Sequence, residues 1–545
     1  MAYLDTYTTP LTAATAAHLL RRATFGPTQQ EIADFTGKTA SQAVDILINN
    51  ASYRATPPPP VEMDATRSDA GQPFLGKSYD ENRSFSYYNY IRNWWIGFMA
   101  EQNGRPSVLE KLTAFWQNHF VVTYASIQDY RFAYRYLALL RSNSLGNFKE
   151  MAISMTKDPG MLIFQNGNEN WKELPNENYA RELQELFTVG QKDFNGVANY
   201  TEQDVKAAAR VLTGWQASNL RKAGTTEIGS SFNPDRHDTG DKTFSAKYNN
   251  TIIAGRSGAD AGEVELRELI NMLLSHPESP KYICRELYRW YVNPNVTAEI
   301  EEQVIKPLAT FFAGSSNNFA IEPIIRTLLT SVIFFDSRNF GAIVKSPAEL
   351  LIGTVRIFDV TVPDYVTDYS AFNKMIAFLS SGMDLLQLNL LNQPSVFGSL
   401  PYYQTGYSRN WINETTIGQR GTRTDAFIYP YLELKPGSLM AIDILGRLRQ
   451  IQPNFSDVSG TPGITCEQVL AEFTKNLFPF ELPQAQKDFL IDSIMMMKNS
   501  ARTTWVREWD AYRSAPNDPA KQNVVLWRSR TLLKYLLRMA EYQLF

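Results

Sequence analysis

Leu109, Leu112, Phe115, Trp116 and Phe120 follow one another at helical spacing, so a helix starting after Ser107 would bury them along one face. Leu266, Leu269, Ile270 and Leu273 repeat the pattern, as do Leu533, Leu536, Leu537 and Ala540. Start signals accompany the stripes. Thr28 with Glu31, Ser107 with Glu110 and Thr201 with Asp204 have the spacing of a capping box, and Ser346 precedes Pro347 and Glu349. Strand signal is sparse: residues 244–248 and 251–254 flank Asn249-Asn250, a pair that tolerates the positive φ of a tight hairpin turn. Residues 53–82, 216–261 and 388–437 are poor in helix signal, and loops of that length are uncommon unless functional or disordered. The prediction is an all-α fold, a large multi-helix assembly with long functional loops and at most a small β-hairpin. It divides into an N-terminal helical segment at 1–52, a central helical core carrying the site at 83–360, and a C-terminal helical region at 361–545 packed on that core.

Composition narrows the function classes. With 44% hydrophobic and 20% charged residues the chain is of the ordinary globular kind, and it lacks an apolar run of the ~18 residues that a membrane span needs. A net charge of −3 without a basic block gives a nucleic-acid backbone little to bind. Cys284 and Cys466 are too few for a disulfide framework or a thiolate metal site, and both read as buried thiols. Residues 1–20 have no basic stretch ahead of an apolar core, so no secretory signal is expected there. H-E-x-x-H, G-x-S-x-G, glycine-rich phosphate-loop and dinucleotide patterns are absent from the sequence.

Two polar constellations remain. Asn178, Arg181, Glu182 and Glu185 share one face of a predicted helix, where two carboxylates beside a guanidinium could bind a hard divalent metal or serve as acid and base. A solvated face with Arg181 paired to Glu185 fits the same pattern. Arg236, His237, Asp238 and Lys242 lie in a long loop, where a histidine beside a carboxylate suits metal binding or proton transfer and the two cations suit an anionic group. A turn built on Asp238-Thr239-Gly240-Asp241 is the bland alternative. His119 sits on or beside the Leu109 stripe and reads either as a satisfied core histidine or as a ligand. His18 and His276 read as helix-end residues.

AAHLLRRATFGPT (Ala16 to Thr28), FWQNHF (Phe115 to Phe120), NENYARELQELFTVG (Asn176 to Gly190) and YTEQDVKAAARVLTGW (Tyr200 to Trp215) resemble the domain of unknown function 1800 family. RHDTGDKTF (Arg236 to Phe244), SHPESPKYICREL (Ser275 to Leu287), KSPAELL (Lys345 to Leu351) and the terminal AEYQLF continue the resemblance in order. Gln117 stands where the family often has histidine, and the region around Gln393-Pro394 matches only loosely. The resemblance implies a bacterial protein, often exported, encoded beside a sulfatase-like partner. The combined expectation is a polar, metal-assisted acid/base site on an anionic or polymeric envelope substrate. Its metal donors would be His119, Glu182 and His237, and its acid/base groups Glu182, Glu185, His237 and Asp238. Arg181, Arg236, Lys242, Asn178 and Trp215 would bind substrate. The alternative is a non-catalytic partner of the sulfatase-like protein, with 216–261 and 388–437 as its interface; an intracellular enzyme is a third reading.

Overall fold

The Leu109 stripe forms the buried face of a helix, Leu109–His119, and the Leu266 and Leu533 stripes bury in helices Ala261–Ser275 and Pro519–Arg538. These belong to a computed structural model that describes residues 2–53, 56–101, 103–403 and 407–545. Ala540 is the exception, exposed in a short 3-10 turn beyond the last helix. The boxes at Thr28, Thr201 and Ser346 form as spaced, each side chain meeting the backbone of the other. Ser107 instead caps Leu109 alone at 3.2 Å. Its partner Glu110 is occupied elsewhere, buried against the Arg141 guanidinium and the Trp95 indole.

Among the described residues, the strands form three two-stranded antiparallel sheets. The expected hairpin closes on shorter strands, Lys242–Thr243 with Ile252–Ile253, while residues 246–248 make a 3-10 turn. Asn249 and Asn250 do take left-handed φ values of 56° and 55°. Strands Trp215–Ser218 and Gly229–Phe232, and a small pair at 433–439, were not expected. Nor was the helix Glu414–Ile428, whose glycines and β-branched residues weaken its propensity; Asn413 caps it, and burial of Arg420, Thr424 and Phe427 holds it.

Buried side chains from Leu11 to Tyr542 form one continuous apolar cluster, drawing on all three expected segments. Two features bring distant motifs together. Gly26 has φ +118°, and a Cβ there would stand 2.8 Å from the Gly353 Cα, so the turn after helix Ala13–Ala23 rests on helix Pro347–Ile357. The last residues pair with the strand-like segment before that helix, Lys345 N donating to Gln543 O at 2.7 Å and Phe545 N to Ile343 O at 3.0 Å. HLLRR, KSPAELL and the final residues therefore meet.

Candidate functional site

The polar stripe does not assemble as its spacing predicts. Helix Glu177–Glu182 runs into a π-helical turn, Leu183–Thr188, whose wider winding moves Glu185 off the row of Arg181. Arg181 therefore misses Glu185 and binds Glu202 through two bonds of 2.7 Å, with Glu177 at 3.4 Å. Glu185 accepts from the Tyr200 hydroxyl and from Gln191 at 3.2 Å. Asn178 is exposed. Glu182 is half-buried, and burial together with the Glu185 charge pushes its carboxyl up to about 7.

The 236–242 segment is packed where a free polar loop was expected. His237 and Lys242 are 1% and 0% exposed, and both close on Glu265 of helix Ala261–Ser275, itself fully buried. Lys242 Nζ donates to Glu265 Oε2 at 2.6 Å. His237 Nε2 lies 3.2 Å from Glu265 Oε1, out of line for a good hydrogen bond, and Nδ1 lies 3.0 Å from Thr213 O. Asp238 takes two bonds from Arg210, at 2.7 and 2.9 Å. Arg236 stacks 4.3 Å over Trp171, and Trp215 is buried on its strand. The charged groups pair with one another, while His237 Nε2 has a charge partner in Glu265 but no hydrogen bond among the described residues. The three expected metal donors are not brought together: His119 binds a backbone carbonyl, His237 faces Glu265, and Glu182 sits beside Glu185. Among the described residues no three His, Cys, Asp or Glu side chains are grouped to hold a metal ion.

His119 belongs to a different site. A pocket is walled by Phe115, Trp290, Phe397, Tyr402 and Phe545, with Asn118, His119, Glu286, Arg289, Glu349 and Ser408 among its polar members. Helix Leu109–His119 supplies Phe115, Asn118 and His119. Helix Glu278–Tyr291 presents Tyr282, Glu286, Arg289 and Trp290, which share one face by their spacing. The end of the π turn completes this wall. Its terminal carbonyls lack intrahelical partners, and Tyr282 Oη donates to Leu186 O at 2.9 Å while His119 Nε2 donates to Phe187 O at 3.0 Å. That bond fixes the tautomer and leaves Nδ1 with its lone pair. Burial lowers the imidazole to about 4, so it is neutral at neutral pH. The Trp290 indole N–H is buried and has no acceptor among the described residues.

Behind this pocket lies a second, smaller cavity, lined by Arg21, Phe25, Lys345, Asn476 and Tyr542 among others. Glu349 and Phe545 line both cavities. Glu349 also takes the buried ammonium of Lys111 and the Ser346 amide, so the shared wall carries an ion pair. His18, expected as a charged helix-end group, is buried between Phe334 and Phe340; burial first, then Arg22, drives its pKa well down. His276 does act at a helix start, accepting from Glu278 N at 3.2 Å.

Sequence reasoning missed Glu349, Lys345, Arg21 and Trp290 as site residues. Each lies in or beside a stretch used for the resemblance, yet Glu349 reads locally as a cap and Arg21 as a helix-end cation. The two departures from the family pattern turn out to be partners: Gln117 and Gln393, both buried, hydrogen-bond amide to amide at 2.6 Å. Comparison with curated proteins and with solved structures gives no match. A family model described as "Protein of unknown function (DUF1800)" matches residues 18–544, and the chain belongs to that family.

Proposed function

We propose that the aromatic pocket recognises a sugar-type unit of an anionic envelope polymer, with the protein exported. The observation that carries this reading is Trp290, which lines a pocket walled by aromatic rings and whose indole N–H is buried without an acceptor among the described residues. Ring faces pack against the C–H faces of a sugar, and an unmet donor beside them selects a ligand with an oxygen at that position. His119 adds a neutral acceptor at Nδ1, which accepts a hydrogen bond from a ligand hydroxyl and would take that proton as general base in a hydrolysis or transfer step. Metal assistance is not part of the proposal, since the donors expected for it lie apart.

Titrating envelope oligosaccharides against the protein's tryptophan fluorescence tests it. Trp290→Phe keeps a ring but removes the N–H, and we expect binding about tenfold weaker, the worth of one hydrogen bond that would otherwise go unmade. Equal affinity in the variant, or no binding by any envelope glycan, contradicts the reading.

A second reading rests on the 388–437 segment. Leu400, Ile417, Tyr429 and Tyr431 are exposed there, apolar side chains of the kind that dock a protein. This is the non-catalytic role beside a sulfatase-like partner. Capture of that partner by the full chain, lost in a Leu400→Asp, Tyr431→Asp double variant that still binds glycan, would support it. No helix among the described residues is long and apolar enough to cross a membrane.

A further inference from the structure

The cavity behind the aromatic pocket has an unusual charge balance. Arg21, Arg22, Lys111, Lys345 and Arg420 are all buried around it, and Glu349 is the one side-chain carboxylate among the described residues lining it. Glu349 is already taken by Lys111 and the Ser346 amide. Arg21, Arg22, Lys345 and Arg420 have no carboxylate within ion-pair distance among the described residues, and what they do contact is neutral. Arg21 reaches Asn476 O, Arg22 reaches Asn339 O at 2.7 Å, and Arg420 reaches Gln543 Oε1 at 2.7 Å and Lys345 O at 2.9 Å. Nε and Nη1 of Arg22 and Nη1 of Arg420 are buried without an acceptor. The Lys345 ammonium lines the cavity and has the face of Tyr542, 3.7 Å away, as its partner.

Buried cations are ordinarily paired, because removing a charge from water without a counter-charge is costly. Elsewhere the chain obeys this rule: buried Arg141, Arg285 and Arg356 each hold a glutamate. We propose that the cavity bounded by Arg21 and Lys345 binds an oxyanion, a phosphate, sulfate or carboxylate group, which supplies the missing negative charge. Lys345 and Arg21 meet it directly, while Arg22 and Arg420 stand behind them and set the potential. The titration of these groups agrees with the charge count. Burial, then neighbouring cations, drives Lys345 well below the usual lysine range, and burial lowers Arg22 to about 9 and Arg21 and Arg420 to about 10. The anion is either free in solution or carried on the ligand of the aromatic pocket, which the Glu349 wall adjoins.

The inference stands apart from the sugar reading and is tested separately. Calorimetric titration of the full chain, in chloride buffer of constant ionic strength, is run with inorganic phosphate and with glucose 6-phosphate as probes. We expect saturation at one site per chain, weakened about tenfold or more in Lys345→Met, as loss of a charge-assisted hydrogen bond dictates. Saturation by inorganic phosphate identifies a free ion; saturation by glucose 6-phosphate alone identifies a ligand-borne group. Thermal melts guard against misfolding: without phosphate Lys345→Met melts no lower than the wild type, since it removes an unpaired charge. Trp290→Phe retains the phosphate site whatever its effect on glycans. Absence of saturation with both probes, or equal affinity in folded Lys345→Met, overturns the proposal.

Discussion

The His237–Lys242–Glu265 cluster and the chamber around Arg21, Lys345 and Arg420 are both made of charged groups taken out of water, yet they differ in balance. In the first, a lysine and a histidine converge on one glutamate, away from the two cavities of the pocket region. In the second, four cations have no carboxylate within ion-pair distance among the described residues, and a cavity lies beside them. A charge cluster that satisfies itself holds a loop to a helix; one left unsatisfied around open space is short of a ligand. Charge residues alone do not separate the two cases, because the difference lies in what stands opposite each group.

The largest effect that would break this comparison lies on the balanced side. Glu265→Ala strands Lys242 in the core and should cost about 3–5 kcal/mol in urea unfolding, with much of the loss recovered by adding Lys242→Met. A small loss would mean the cluster is not structural. On the unbalanced side the sign reverses: Lys345→Met, in the absence of oxyanions, should stabilise the chain by about 1–3 kcal/mol. Destabilisation of that size would show that a partner for Lys345 exists within the chain.

Two smaller effects concern pH, one of them at the pocket wall. His119 is lowered from 6.5 to about 4 by burial, so between those values the unfolded chain binds the extra proton. Its contribution to stability is complete above pH 6.5 and falls as pH drops toward 4, and His119→Gln should flatten that part of the profile. Glu182 runs the other way. Its carboxyl is raised from 4.5 to about 7, so its contribution is complete below pH 4.5 and lost as pH rises through 7. Glu182→Gln should thus melt higher than wild type at pH 8 and equally at pH 4. Its partial exposure makes this the smallest of the four effects.

Much of the scaffold was legible in the sequence, because apolar stripes and capping boxes are local patterns. Thr28, Thr201 and Ser346 cap as spaced, and Asn249-Asn250 turns as its residues allow. The Glu414–Ile428 helix was not legible, since tertiary burial overrides weak propensity there. The site was less legible still. His119 was singled out because a histidine on an apolar stripe stands out; Trp290 and Lys345 were not, because an unmet donor has no sequence signature. The Asn178 to Glu185 stripe misled for one reason: a π turn within it breaks the period on which the reading relied.

The most direct test is the thermal midpoint as a function of inorganic phosphate and of glucose 6-phosphate, measured on wild type, Lys345→Met and Glu265→Gln. Binding to the folded state alone raises the midpoint by mass action. Wild type and the weakened Glu265→Gln should rise by similar amounts with whichever probe fills the chamber, and Lys345→Met should stay level. A rise in Lys345→Met equal to that of wild type, or no rise in wild type with either probe, would contradict an anion-binding chamber.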